Sequence, residues 1–224
     1  MSQIDEIRQQ QEAQYKAPTS MKQKMVQSLS NIFHPLLTLT YVAINICAYT
    51  PFQIVPDRLK YYFVGEVFLF TLVLPALIIT LLHVFHIVGH WALRDRRDRA
   101  LPFFTNFVCY SVCAYLLYTQ RIFPDWILIG YFGSTILTFI AWVVSYWWKI
   151  SAHASANAAA VAYLLMLFYY FPTVMPLWPS FAAILIVGAI CSTRVYLHRH
   201  TLGQVSAGVA LGIGSMLLSQ WLLM

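Results

Sequence analysis

Seven apolar runs, separated by short polar turns, follow one another along the chain after its first thirty residues. A helix that crosses a membrane needs about 20 mainly apolar residues, and the runs approach or exceed that length. The pattern predicts an all-α fold, a polytopic transmembrane helix bundle of six to seven spans that occupies residues 31–224. The predicted spans are 32–50, 62–92, 102–119, 126–148, 156–172, 179–197 and 204–223.

The composition agrees with a membrane domain. Of the 224 residues, 60% are hydrophobic and 10% are charged, whereas soluble domains carry about 25% charged residues. The four cysteines all lie within apolar runs, which argues against a disulfide framework and against a cysteine zinc site. Residues 1–30 are polar, rich in glutamine and without the apolar core of a secretory signal. They are predicted to be a retained tail, either a surface helix or disordered.

The basic residues reflect membrane topology rather than a nucleic-acid surface. The net charge is +6, but the lysines and arginines punctuate apolar runs instead of forming a stripe, so no nucleic-acid partner is expected. With seven spans, the turns after spans two, four and six lie on the side of the tail, together with eleven of the 14 lysines and arginines. The positive-inside rule places that side in the cytoplasm. Without the arginines of these turns the two sides carry nearly equal charge, so the orientation stays open.

Three polar turns on the tail side, residues 94–99, 149–153 and 194–204, hold the side chains best suited to chemistry. Polar groups at this density beside membrane helices are costly and usually serve a function. Phosphoryl transfer needs a nucleophile, an acid for the leaving oxygen and positive donors around the phosphate. His200 can attack phosphorus. His153 can protonate the departing alcohol and later activate water, since an imidazole titrates near working pH.

The same turns supply a candidate phosphate cradle. Arginine donates two parallel hydrogen bonds to phosphate oxygens, which lysine cannot do. Gln204 follows His200 by four residues, and on a helix that spacing places both on one face. There the amide oxygen can accept a proton from the imidazole and fix its tautomer. The candidate phosphate-binding residues are Arg194, Arg96, Arg99, Lys149 and Ser151.

The last of these turns resembles the third motif of the type 2 phosphatidic acid phosphatase family, whose pattern is Ser-Arg-x5-His-x3-Asp. Arg194 stands six residues before His200 and is followed by Val-Tyr-Leu. Gln204 stands at the position of the family's aspartate, with Ala207-Gly208 after it.

The other two turns resemble the remaining motifs of that family in the expected order. Ile150-Ser151-Ala152-His153 stands where the family has Pro-Ser-Gly-His, and keeps its serine and histidine. The run Arg96-x2-Arg99-Ala-Leu-Pro stands where the family has Lys-x6-Arg-Pro. The family's lysine is missing there, and Lys149 can supply that charge from another turn.

The resemblance implies a metal-independent enzyme of a bacterial inner membrane, without a cofactor, because cationic side chains provide the electrostatic stabilisation. It would hydrolyse a lipid phosphomonoester or diphosphate through a phosphohistidine at His200. The expected partners are this phosphorylated lipid and the surrounding membrane lipids. A carboxylate would stabilise the His200 imidazolium, whereas the amide of Gln204 only orients the ring. The second hypothesis is therefore a non-catalytic protein that binds lipid phosphates on the same fold.

A separate histidine set suggests a third function class. His83, His86 and His90 are spaced i, i+3 and i+7 on the second predicted span. Membrane desaturases and hydroxylases hold two irons with histidine-rich motifs of this kind. Such sites use eight or more histidines and this chain has seven in all, so hydrogen bonding within the bundle is the simpler interpretation.

Overall fold

The computed structural model describes residues 21–86 and 96–224, and within these ranges all regular structure is helical. This confirms the predicted all-α bundle. Within the described ranges, short loops separate most of the helices, and one π-helical turn at Leu69–Val73 and one 3-10 turn at Pro51–Ile54 add to the α-helical structure. The α-helices are α1 (Met21–Ile32), α2 (Pro35–Tyr49), α3 (Asp57–Phe68), α4 (Leu74–Val84), α5 (Arg96–Thr119), α6 (Asp125–Ser145), α7 (Ala152–Tyr170), α8 (Trp178–Tyr196) and α9 (Leu202–Leu223).

Six segments of the described ranges are long and apolar enough to cross a membrane, so the chain is an integral membrane protein. A seventh span is possible if α1 and α2, which meet at a bend of 55°, cross as one broken helix. This agrees with the six to seven predicted spans. The six segments are Asp57–Val84, Ala100–Thr119, Asp125–Ser145, Ala152–Tyr170, Trp178–Tyr196 and Leu202–Leu223.

The longest of these segments runs through α3 and α4 without a loop. Pro75 stands near the start of α4, and its missing N–H and its ring prevent a regular hydrogen bond with the preceding turn. The turn before it is π-helical, and the Leu74 N–H reaches back to the Leu69 carbonyl. A π-turn of this kind lets a helix continue past an irregularity as one span.

Aromatic rings fix α5 against α6 as antiparallel neighbours. Phe104, near the start of α5, lies 4.9 Å between ring centroids from Trp142, near the end of α6. Deeper in the bundle, Phe63 of α3 packs on α6, where its ring centroid lies 5.9 Å from that of Tyr131. The start of α5 and the end of α6 therefore lie at one end of the bundle.

Glycines let α7 and α9 pack with their backbones almost touching. A Cβ added at Gly208 would lie 2.9 Å from the Ser151 carbonyl oxygen, and one added at Gly212 would overlap the Ser155 carbonyl. Small residues at such spacings are a common device for close helix packing in membranes. Because later residues of α9 meet later residues of α7, the two helices run parallel and begin at the same end.

These contacts define two ends of the bundle. The site end holds the starts of α7 and α9, the end of α8 and the bend between α1 and α2. The far end holds Tyr49 and Trp178, whose rings lie 5.4 Å apart. It also holds a buried carboxylate, Glu66, which accepts hydrogen bonds from the Gln120 amide at 3.0 and 3.1 Å.

Candidate functional site

Four chain segments bring polar side chains together at the site end. His153 lies in the first turn of α7, one residue inside the helix, whereas the sequence placed it in the preceding turn. Arg194 lies in the last turn of α8, and His200 lies in the connection to α9. The fourth segment is the corner between α1 and α2. His200 is only 8% exposed and Ser30 of α1 is fully buried, so the cluster is largely shielded from solvent.

The connection after α8 sets the spacing between Arg194 and His200. The helix ends in a Schellman motif, in which the His198 N–H donates to the Val195 carbonyl and the Arg199 N–H to the Arg194 carbonyl. This motif needs a left-handed residue after the helix, and His198 takes that conformation with φ 52°. The His200 N–H also donates to the Arg194 carbonyl, at 3.2 Å. The backbone of the candidate nucleophile is thereby tied to the candidate phosphate-binding arginine.

A capping box at the start of α9 orients the His200 ring. The Gln204 N–H donates to the Thr201 hydroxyl at 3.3 Å, and the Gln204 Oε1 accepts from the Thr201 N–H at 3.2 Å. The same Oε1 lies 3.1 Å from Nδ1 of His200. Since the Thr201 N–H can only donate, the atom facing it is the amide oxygen, and the His200 Nδ1 beside that oxygen carries a hydrogen. The second ring nitrogen, Nε2, then holds the lone pair that a nucleophile needs.

The phosphatase hypothesis predicts that Gln204→Ala lowers kcat about tenfold and the free energy of unfolding by about 1 kcal/mol, because it removes one ring hydrogen bond and one helix cap. Gln204→Glu should keep the capping box, place a carboxylate on Nδ1 and raise kcat severalfold. The measurement is phosphate release by both variants beside their thermal unfolding. A Gln204→Ala protein that melts earlier yet keeps its full kcat would restrict Gln204 to helix capping.

His153 is held by the corner between α1 and α2. Its ring hydrogen-bonds the backbone of Ser30, where the last carbonyls of α1 lack partners within their own helix. The ring of His34 meets the His153 ring edge to face, with centroids 5.2 Å apart. Arg194 and His200 lie close enough to the His153 ring to influence it electrostatically. The two candidate catalytic histidines therefore belong to one electrostatic cluster.

Three residues of this cluster were not predicted from the sequence: Ser30, His34 and Asn157. Ser30 accepts a hydrogen bond from Nη1 of Arg194 at 3.3 Å. Asn157 donates to the His153 carbonyl at 2.9 Å and to the Phe33 carbonyl at 3.2 Å, so it fastens the corner to α7. His34 caps α2, since its Nδ1 accepts from the Leu36 N–H at 3.3 Å. The sequence signal for this end of the bundle was the alternation of the turns between the two sides of the membrane, which placed the tail on the side of the polar turns.

The other predicted phosphate-binding residues lie at the starts of α7 and α5 and in the segment between α6 and α7. Ser151 is fully buried and caps α7, with its hydroxyl accepting from the Ala154 N–H at 3.4 Å. Lys149 is partly buried in the segment between α6 and α7. Arg96 and Arg99 belong to the first turn of α5, which lies at the site end, but their side chains fall outside the described part of the structure.

The cluster is suited to an anion. The parallel α7 and α9 both direct their N-termini to it, and each helix start carries a partial positive charge and N–H groups without helical partners. Arg194 adds a full positive charge beside them. A phosphate held there would meet a guanidinium, helix dipoles and two imidazoles in a largely buried setting, where such interactions are stronger than in water.

The histidine set of the second predicted span belongs to the end of α4 and the residues after it. His83 lies in the last turn of α4, and His86 is exposed with a left-handed φ of 57°. His90 lies outside the described residues. Within residues 21–86 and 96–224, no three His, Cys, Asp or Glu side chains come close enough together to hold a metal ion.

A scan against protein-family models and searches of curated proteins and of solved structures found no significant match to this chain. The resemblance to the type 2 phosphatidic acid phosphatase family therefore rests on the three polar turns of the sequence alone.

Proposed function

We propose that this protein is a membrane-bound phosphatase, which hydrolyses a lipid phosphomonoester or diphosphate through a phosphohistidine intermediate on His200. One observation carries the proposal. Gln204 Oε1 faces both the Thr201 N–H and His200 Nδ1, which puts the ring hydrogen on Nδ1 and the lone pair on Nε2, in a cluster with His153 and Arg194. A histidine that only packed against its neighbours would not need its tautomer fixed beside a second imidazole and a guanidinium.

In the first step the Nε2 lone pair of His200 attacks phosphorus and forms the P–N bond. The bond between phosphorus and the lipid oxygen breaks, and that oxygen takes a proton from the His153 imidazolium. Arg194 and the starts of α7 and α9 stabilise the charge that spreads over the other phosphate oxygens. The hydrogen bond from the His153 ring to Ser30 uses one ring N–H, so the other nitrogen carries the proton that is transferred.

In the second step neutral His153 takes a proton from water, and the water oxygen attacks the phosphohistidine. The P–N bond breaks, the electron pair returns to Nε2, and inorganic phosphate leaves. The imidazolium of His153 is thereby restored. One histidine thus serves as acid in the first step and as base in the second.

We expect His153→Ala to slow phosphohistidine formation from a lipid phosphate about a hundredfold and from para-nitrophenyl phosphate far less, because the nitrophenolate leaves without a proton. Single-turnover rates of this first step for the two substrates, in wild type and variant, measure the difference. An equal loss on both substrates would mean that His153 supports the structure of the site and does not act as the acid.

The position of the site favours an amphiphilic substrate. The cluster lies at the ends of membrane-spanning helices, where a phosphorylated headgroup can enter from the leaflet while its chains stay in lipid. Phosphatidic acid, phosphatidylglycerophosphate, a polyprenyl diphosphate and a lipid A phosphate share that chemistry. A bacterial inner membrane contains substrates of this class, and we propose it as the location.

The direct test is release of inorganic phosphate from such lipids by the detergent-purified protein, with EDTA present. We expect release that EDTA does not reduce, because arginine and helix N-termini supply the positive charge. Inhibition by EDTA, or stoichiometric iron in the purified protein, would favour the metal oxygenase interpretation of the histidines instead.

The replacement of a carboxylate by Gln204 favours a second candidate function, a non-catalytic receptor for lipid phosphates. An amide orients His200 but adds no negative charge to stabilise its imidazolium. Saturable binding of a lipid phosphate without any phosphate release would support this receptor function over the enzyme.

A further inference from the structure

A groove runs between α2 and α8. Both helices pack against α7, and the gap between them holds a cavity of about 260 Å³. Ligand pockets generally span about 300–1,000 Å³, so the groove has room for part of a ligand, such as one hydrocarbon chain. Its lining includes Phe33, Asn157, Leu164, Ala182, Ile186 and Trp178.

The groove starts beside the candidate catalytic cluster. Phe33 precedes His34, and Asn157 bonds both the Phe33 carbonyl and the His153 carbonyl. These two residues form its upper end. From Asn157 to Leu164 on α7 the groove descends seven residues, roughly 10 Å along the helix axis. Trp178, whose ring meets that of Tyr49, stands at its far end.

The lining changes in chemistry from one end to the other. Near the site the polar groups are already engaged, since Tyr41 donates its hydroxyl to the Ile32 carbonyl at 3.0 Å. Farther down, Asn45 turns its amide back to the Tyr41 carbonyl at 2.9 Å. The remaining lining is mainly aliphatic and aromatic, and small side chains such as Ala182 keep the gap open. A hydrocarbon chain fits this lining better than a polar ligand does.

We propose that this groove binds one hydrocarbon chain of the substrate lipid, while its phosphate occupies the cluster of His153, Arg194 and His200. The proposal rests on the proposed function for its headgroup site. It adds that the hydrocarbon chain lies against α7 between α2 and α8. The groove thereby selects long-chain lipid phosphates over short or water-soluble ones.

The kinetic test uses Ala182→Phe, which fills the groove. We expect kcat/KM for oleoyl lysophosphatidate to fall at least about tenfold, or about 1.4 kcal/mol, because a bulky ring displaces several buried methylenes. Turnover of para-nitrophenyl phosphate should be unchanged. The matched control is Leu185→Phe on the same helix, since Leu185 is 75% exposed and absent from the groove lining. Equal effects of Ala182→Phe on both substrates, or no effect on either, would contradict the proposal that the groove binds the hydrocarbon chain.

A second measurement does not depend on turnover. A lysophosphatidate with a diazirine near the end of its chain should crosslink to Leu164, Ala182 or Trp178, and an excess of unlabelled lysophosphatidate should suppress this labelling. Labels that resist competition, or that fall on Phe103 or Asn106 of the neighbouring cavity, would contradict the proposal. Competed labelling of the groove in a protein that releases no phosphate would support the groove and count against the enzyme.

Discussion

Alanine in place of His200 is expected to reduce phosphate release at least about a thousandfold, because the protein would lose the atom that attacks phosphorus. The fold should survive the change. The hydrogen bond between the ring and Gln204 spans 3.1 Å, and such a bond contributes about 1 kcal/mol. The capping box between Thr201 and Gln204 does not involve the imidazole and would still begin α9.

The matched control is His198→Ala. His198 lies two residues before His200 and is exposed, outside the buried cluster. We expect it to keep near wild-type turnover, with a small change in stability from its left-handed position. Equal phosphate release by wild type and His200→Ala would end the assignment of His200 as nucleophile. Loss of turnover in His198→Ala as well would point to a damaged connection rather than lost chemistry.

Valine in place of Gly212 is expected to lower the free energy of unfolding by about 3 kcal/mol and turnover more than a hundredfold. A side chain at Gly212 would collide with the Ser155 carbonyl and would lie 2.9 Å from the Ala159 N atom. Both obstacles belong to the backbone of α7, so the two helices must separate. Their N-termini, which carry His153 and His200, would then move apart.

Gly214→Val is the control for this prediction. It makes the same change on the same helix, but nothing lies within 4 Å of a Cβ at Gly214. Thermal unfolding and phosphate release should both stay near wild type. If Gly212→Val unfolds at the wild-type temperature and keeps its activity, close packing of α7 on α9 does not position the site.

The fold could be predicted largely because a membrane imposes a simple length rule on apolar segments. The π-helical turn at Leu69–Val73 lies inside a predicted span and did not disturb it, since the helix continues past Pro75. The boundary near His153 was less accurate. Ser151 caps α7 with its own hydroxyl, so the helix begins four residues before the predicted span, and the histidine lies in its first turn.

Local motifs explain the spacing in the last polar turn. The Schellman motif after α8 and the capping box before α9 both act over a few residues, and together they fix the six residues from Arg194 to His200 and the four to Gln204. Thr201 and Gln204 form a recognisable capping-box pattern in the sequence. The left-handed conformation of His198 was harder to anticipate, because a glycine usually occupies that position.

The contribution of the corner between α1 and α2 could not be predicted from the sequence. Ser30 and Arg194 are 164 residues apart, and Asn157 and Phe33 are 124 apart, so no local pattern links them. His34 precedes Pro35 and is 119 residues from His153 in the sequence. Only the packing of the corner on α7 and α8 turns it into a neighbour of His153.

The most direct test of the phosphatase account is to locate the phosphoryl group during turnover. The purified protein would be mixed with radiolabelled lysophosphatidate, quenched in base within the first turnovers, and mapped by mass spectrometry. We expect a base-stable, acid-labile phosphoramidate on His200 that is absent from His200→Ala and accumulates in a variant with slowed hydrolysis. Phosphate release without any label on His200, or label on another residue, would contradict the account.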